Sequence, residues 1–199
     1  TLLSSALLTF SCLLGIDIHT PSLPSMINFF SSNIDVLQVA VPIFILGASI
    51  GILLWGPISD HVGRGKTLII ASLIVIISSL VTALTTSALH FLFLRAIQGF
   101  GAGAAMCLNR VIAADSLDKD QLAIIGPVSG LITGLGPLIA PIIGGYIEST
   151  IGWQGSFVFY SGVTATALTI FICLFSEPKH LTQPTKSILN RYYDTCTNT

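Results

Sequence analysis

The sequence predicts an all-α membrane protein, a bundle of six transmembrane helices. Three observations carry that prediction. Six apolar runs, each long enough to cross a bilayer, fill nearly all of the 199 residues. Hydrophobic residues make up 52% of the chain and charged residues only 9%, with a mean hydropathy of +0.87, more apolar surface than an ordinary soluble core could hide. The runs are also unbroken rather than alternating, which excludes barrel strands. A hydrocarbon core of ~30 Å needs ~20 residues of apolar helix. Lipid offers backbone groups no partners, so a spanning segment must satisfy them internally.

The spans fall at about 2–25, 36–57, 66–86, 89–113, 121–147 and 154–176. Ser31, Ser32, Asn33 and Asp35 separate the first pair, and Ser59 to Lys66 the second, with Gly63 and Gly65 inside it. Asp115, Asp118, Lys119 and Asp120 separate spans four and five; Gly152 and Gly155 break the chain before span six. Residues 1–178 thus form the transmembrane domain. Residues 179–199 are too polar for another span and read as a cytoplasmic tail or the start of a central loop.

Positive charge sets the expected orientation, because short cytoplasmic loops collect Lys and Arg. Arg64 and Lys66 lie between spans two and three, Arg110 and Lys119 near the junction of four and five, and Lys179, Lys186 and Arg191 after span six. The connectors on the other side hold none. An even number of spans then puts both termini in the cytoplasm. The eighth basic residue, Arg95, belongs to no loop.

Several function classes drop out. A net charge of -1 and a pI near 6.3 give no nucleic-acid footprint. Cys12, Cys107, Cys173 and Cys196 have no paired or metal-like spacing and read as small apolar residues. His61, His90 and His180 fall in connectors and read as solvated. No nucleophile stands with a base and no metal cluster is visible, so neither an enzyme nor a metal or organic cofactor is expected. Leu2 to Gly15 lacks the basic leader of a signal peptide and five more spans follow it. Thr1 is not methionine, which places the expected start upstream. Trp153 and Tyr160 read as interface anchors.

The polar residues inside the spans carry the functional reading. Arg95, Gln98, Ala102 and Asn109 stand at offsets of 0, 3, 7 and 14, one face of a helix. An arginine at mid-span costs roughly 2.5–3.5 kcal/mol on insertion scales, so that face cannot look at lipid. Asp17 is the expected partner. With span one running outward and span four inward, the two residues lie about 8 and 6 residues from their outer ends, or roughly 12 and 9 Å deep. A static pair that only packs two helices is the plainer alternative. Desolvation and the guanidinium's field act on such a carboxyl in opposite directions, the balance a proton carrier needs. His19 adds a second titratable group nearby. Pro21 and Pro24 lack an N–H, so the outer end of span one should kink or unwind.

Four motifs carry a family resemblance. Gly56-Pro57-Ile58-Ser59-Asp60-His61-Val62-Gly63-Arg64-Gly65-Lys66-Thr67-Leu68 resembles the G-x-L-A-D-R-x-G-R-K-x-x-L loop of the major facilitator superfamily at Gly56, Asp60, Gly63, Arg64 and Leu68, with His61 and Gly65 as departures. Asp60 and Arg64 can pair across the glycine turn, and Asp60 can also meet the positive end of a neighbouring helix. Leu92 to Gly103 resembles the superfamily's fourth-helix signature at Leu92, Arg95, Gln98, Gly99, Gly101 and Ala102. Asp17-Ile18-His19-Thr20-Pro21-Ser22-Leu23-Pro24 is similar to the Asp-x-Tyr-x-Pro-x-Leu-Pro segment of bicyclomycin- and chloramphenicol-resistance-type drug:proton antiporters, with His19 in the tyrosine position. In span five, Gly126, Gly130 and Gly134 give a smooth ridge suited to close helix packing. Gly136-Pro137-Leu138-Ile139-Ala140-Pro141-Ile142-Ile143-Gly144-Gly145 resembles the antiporter signature G-x-x-x-G-P-x-x-G-G, with Ala140 replacing a glycine.

The resemblance covers all six spans and implies the N-terminal half of a proton-coupled multidrug efflux antiporter. It implies proton coupling at Asp17, Arg95 and His19, a conformational latch at Gly56, Asp60, Gly63 and Arg64, fourth-helix positions at Gln98 and Gly99, and a gate at Gly136, Pro137, Pro141, Gly144 and Gly145. The expected partners are the lipid bilayer, an amphipathic drug, and a C-terminal six-helix half or a second subunit, since family substrates bind between two halves. The energy source would be a proton gradient across a bacterial inner membrane. The alternative is a truncated or decayed non-transporting membrane protein, or a half that works only with a partner half.

Overall fold

The computed structural model describes the backbone of residues 2–116 and 119–174. Leu117, Asp118, the end of expected span six and the expected tail, with Lys179, His180, Lys186, Arg191 and Cys196, lie outside the described residues. The helices are α1 (Leu2–Asp17), α2 (Leu23–Phe30), α3 (Ile34–Gln38), α4 (Ala40–Val62), α5 (Arg64–Ala83), α6 (Ala88–Ser116), α7 (Lys119–Thr150) and α8 (Trp153–Leu174). No strand occurs among the described residues. Five segments are long and apolar enough to cross a membrane: Ser4–Phe30, Ile34–Val62, Arg64–Ala83, Ala88–Ala114 and Trp153–Leu174. The fifth expected span lies within α7, part of whose side chains are outside the described set.

The first span is not one continuous helix. α1 ends at Asp17, a 3-10 turn takes Thr20–Ser22, and α2 resumes at Leu23. Pro21 and Pro24 each sit at the first or second position of the element that follows the break. There a missing N–H costs nothing and the fixed φ is already helical. The turn between α4 and α5 has an equally local cause: Gly63 adopts φ 98°, closed to a residue with a Cβ, and reverses the chain within one residue.

α6 packs against α4, α5 and α1; α8 packs on α5 and α1, and α7 on α1. The largest buried cluster draws Leu8, Phe44, Leu68, Val75, Leu108, Tyr160 and Phe171 from α1, α4, α5, α6 and α8. Close packing is concentrated between α4 and α6. A Cβ at Gly99 would strike the Phe44 carbonyl, and one at Gly47 the Ala96 carbonyl, so the two backbones touch. The ridge expected to pack closely in span five behaves otherwise. At Gly126, Gly130 and Gly134 a Cβ would meet nothing within 4 Å, so within the described residues that ridge is open. The identical four-residue spacing cannot tell a covered ridge from an uncovered one.

The two aromatic anchors are also corrected. Trp153 is 3% exposed and stacks among Phe29, Phe30 and Phe157, while Tyr160 is fully buried with its hydroxyl directed at the Cys12 carbonyl, 3.4 Å away. Both rings serve the interior of the bundle.

Candidate functional site

Arg95 is the largest fully buried side chain among the described residues. Its Nη1 donates to the Gly15 carbonyl at 2.9 Å and to Gln98 Oε1 at 2.9 Å, and its Nη2 donates to the Ile16 carbonyl at 3.0 Å. The guanidinium carbon lies 4.5 Å from the centre of the Phe44 ring. Gln98 Nε2 in turn donates to Thr82 Oγ1 at 2.9 Å, which ties α6 to α5. Further along the same face Asn109 Oδ1 accepts from Ser5 at 2.8 Å. The polar stripe of α6 therefore faces α1 and α5, as its spacing requires.

The expected direct pair between Arg95 and Asp17 is not formed: among the described residues no ion pair joins them. The last four carbonyls of a helix have no partner within it. Because α1 stops at Asp17, the carbonyls of Gly15 and Ile16 are among these, and they carry the negative end of the helix dipole. A buried cation at that end satisfies two acceptors and meets a favourable field. Asp17 follows Ile16 directly, so its part-buried carboxyl stands beside the clamp but outside its hydrogen bonds. Breaking α1 thus creates the acceptors that make a mid-membrane arginine tolerable.

His19 is 1% exposed and lies between Phe91 and Phe157, its ring centre 6.0 Å from each. Its Nδ1 has no hydrogen-bond partner among the described residues. At the opposite end of the bundle Asp60 Oδ1 and Arg64 Nη2 form an ion pair of 3.6 Å across Gly63, and Gly56 faces Cys107 on α6. His61 and His90 are exposed.

On α7 the antiporter-like segment divides by face. Gly136 abuts Leu13, Ala140 is fully buried, and a Cβ at Gly144 would strike the Ile18 carbonyl. These positions, four residues apart, seat α7 on α1 across its break. Pro137, Leu138 and Ile142 are exposed on the other side, and Pro141 and Gly145 are half-buried. An apolar groove of about 470 Å³ runs between α1 and α8, lined by Leu7, Phe10, Phe159, Val163, Thr166 and Ile170. Its size suits a drug-sized molecule or an acyl chain.

One polar residue of this region was not singled out in the sequence. Glu148, near the end of α7, accepts a short hydrogen bond through Oε1 from Ser25 of α2, and its Oε2 is buried without a partner. It sits at the margin of its span, where a carboxylate is usually solvated, and nothing local distinguishes it.

The profile of the Major Facilitator Superfamily matches residues 5–189. The chain belongs to the major facilitator superfamily. This is a family of transporters rather than enzymes, and the chain is a multi-pass membrane protein of that family. Among its relatives, the bicyclomycin resistance protein homolog of Haemophilus influenzae is 32% identical over 160 residues, which is 79% of this chain and 40% of the relative. The multidrug resistance protein MdtL of Klebsiella pneumoniae is 29% identical over 188 residues, 90% of this chain and 48% of the relative. The chloramphenicol resistance protein of Pseudomonas aeruginosa is 29% identical over 147 residues, 73% of this chain and 35% of the relative. The chain thus spans at most about half the length of these curated relatives.

Proposed function

We propose that this chain is the N-terminal six-helix half of a proton-coupled multidrug antiporter that exports small amphipathic drugs across a bacterial inner membrane, with both termini cytoplasmic. The observation that carries the reading is Asp17, a part-buried carboxyl at the break of a membrane-crossing helix, one residue beyond the carbonyls held by a fully buried arginine. Where water does not screen it, gaining or losing a proton there changes the local field strongly. Proton and drug can then compete for one electrostatic site.

The other roles follow from position. Arg95 holds the broken end of α1 and supplies a fixed positive charge. The Asp60–Arg64 pair latches the cytoplasmic end. The Gly136 to Gly145 segment, packed on α1 at the break, couples movement of that break to α7, whose exposed face with Pro137, Leu138 and Ile142 meets the C-terminal half. No cofactor is required, since the proton gradient supplies the energy. A half that works only with a separate partner subunit is the second reading, favoured by the open glycine ridge of α7.

The test is ethidium efflux from cells expressing the transporter that contains this chain. Asp17→Asn should abolish efflux driven by a proton gradient while leaving the protein in the membrane. Normal efflux by that variant would overturn the coupling role.

A further inference from the structure

We infer that His19, Ser22, Ser25 and Glu148 line a water-bridged file that admits protons to Asp17 from the membrane face opposite the Asp60–Arg64 turn. The inference rests on the proton-coupled reading above and extends it to the route the proton takes. His19, Ser22 and Ser25 are spaced by three residues through the 3-10 turn and the first turn of α2. Three-residue spacing keeps neighbouring side chains on one side of a 3-10 or α-helical turn, so the three stand in a row. Glu148 closes the outer end of the row through its hydrogen bond from Ser25.

The pattern of satisfied and orphaned atoms is what a relay requires. The Ser25 hydroxyl is placed to donate both to the Ser22 carbonyl, at 2.9 Å, and to Glu148 Oε1. It has one hydrogen for two acceptors, so it alternates between them. His19 Nδ1, Ser22 Oγ, Ser156 Oγ and Glu148 Oε2 are buried without partners, and His19, Ser22 and Ser156 are each 1% exposed or less. Leaving a buried polar group unpaired costs about 1–3 kcal/mol. Four of the seven buried side-chain atoms without a partner among the described residues belong to these residues, and such orphans mark a place for water, which settles where two to four polar partners converge. Ser156 lies on α8 next in sequence to Phe157, whose ring packs against His19.

A proton from outer water forms an O–H bond at Glu148. Glu148 releases that hydrogen to the file, each hydroxyl or water accepts one hydrogen and releases another, His19 accepts at Nδ1 while its Nε2–H bond breaks, and the hydrogen released there ends as an O–H bond on Asp17. Every relay group returns to its starting state by rotation. The titratable and charged groups at the file are Glu148 of α7 at its outer end and Asp17 of α1 with Arg95 of α6 at its inner end; Tyr160 of α8 lies deeper, against Gly15 and the Cys12 carbonyl. Arg95, immediately inside Asp17, repels a positive charge and stops the file there.

Two measurements test the file. Ser22→Cys is placed in the chain with Cys107, Cys173 and Cys196 changed to alanine, and S–H to S–D exchange in D2O is followed by infrared in lipid bilayers. Native Cys12, buried in the core of the same span, is the dry reference. The thiol at position 22 should exchange at least about tenfold faster than Cys12; equal rates would overturn the hydrated file. In proteoliposomes of the transporter containing this chain, Glu148→Gln should slow ethidium-coupled proton release at least about tenfold. The ethidium KM should stay unchanged, and Glu148→Asp should recover most of the rate. Glu148→Gln at the wild-type rate, with Asp17→Asn inactive, would overturn the file and leave the coupling role standing. Loss in Glu148→Gln that Glu148→Asp fails to recover would also overturn it, as a packing effect.

Discussion

The two buried arginines among the described residues solve the same problem with different partners. Arg64, at the end of the bundle, meets a carboxylate: its ion pair with Asp60 spans 3.6 Å, and the aspartate is 38% exposed. Arg95, in mid-span, meets two backbone carbonyls, an amide oxygen and an aromatic face. Near water an acid is inexpensive to keep charged and salt screens the pair. In the membrane interior a second charge would have to be desolvated as well, whereas the end of a broken helix supplies strong acceptors already in place. The arrangement leaves Asp17 beside a cation, outside the hydrogen bonds that hold it.

That contrast can be broken most severely at Arg95. Arg95→Met leaves the Gly15 and Ile16 carbonyls without a donor. With orphaned acceptors at about 1–3 kcal/mol each, the loss should reach roughly 2–6 kcal/mol. Denaturant titration of the micellar protein, read by helix content, would detect it; wild-type stability would mean that α1 finds other donors. Removing only the ring beneath the guanidinium is milder. Phe44→Leu gives up a desolvated cation–π contact and should cost about 2 kcal/mol by the same titration. Asp60→Asn should change stability least, within about 1 kcal/mol, because its half-exposed pair is screened. A loss there as large as that of Arg95→Met would remove the distinction between the two sites.

The polar face of α6 was legible because helical spacing fixes which residues share a side, and a charge in lipid must turn inward. Its partner was not. A carbonyl has no letter in the sequence, and those of Gly15 and Ile16 become available only because the chain stops being helical at Asp17. The prolines announced the break, but not what would fill it. The same limit applies to glycine. Gly47 and Gly51, Gly99 and Gly103, and Gly126, Gly130 and Gly134 share one spacing, yet the first two pairs line the α4–α6 contact while a Cβ on the third set would meet nothing within 4 Å among the described residues. Spacing makes a smooth face, and only the arrangement of neighbours decides whether a helix lies on it. Trp153 and Tyr160 carry an apolar body and a polar tip, a chemistry as fit for a bundle interior as for a membrane interface.

By itself, then, the sequence determined the apolar helical bundle, its turns at Gly63 and Gly152, the break near Pro21 and the family. Each follows from local stereochemistry or from the cost of placing a polar group in lipid. The tertiary structure decided the partners: carbonyls for Arg95, an aromatic cage for His19, Ser25 for Glu148 and α1 for the Gly136–Gly144 face. Those contacts join residues far apart in the chain, Ser25 and Glu148 being 123 positions apart and His19 and Phe157 farther still. They depend on where backbones meet, which no local pattern encodes.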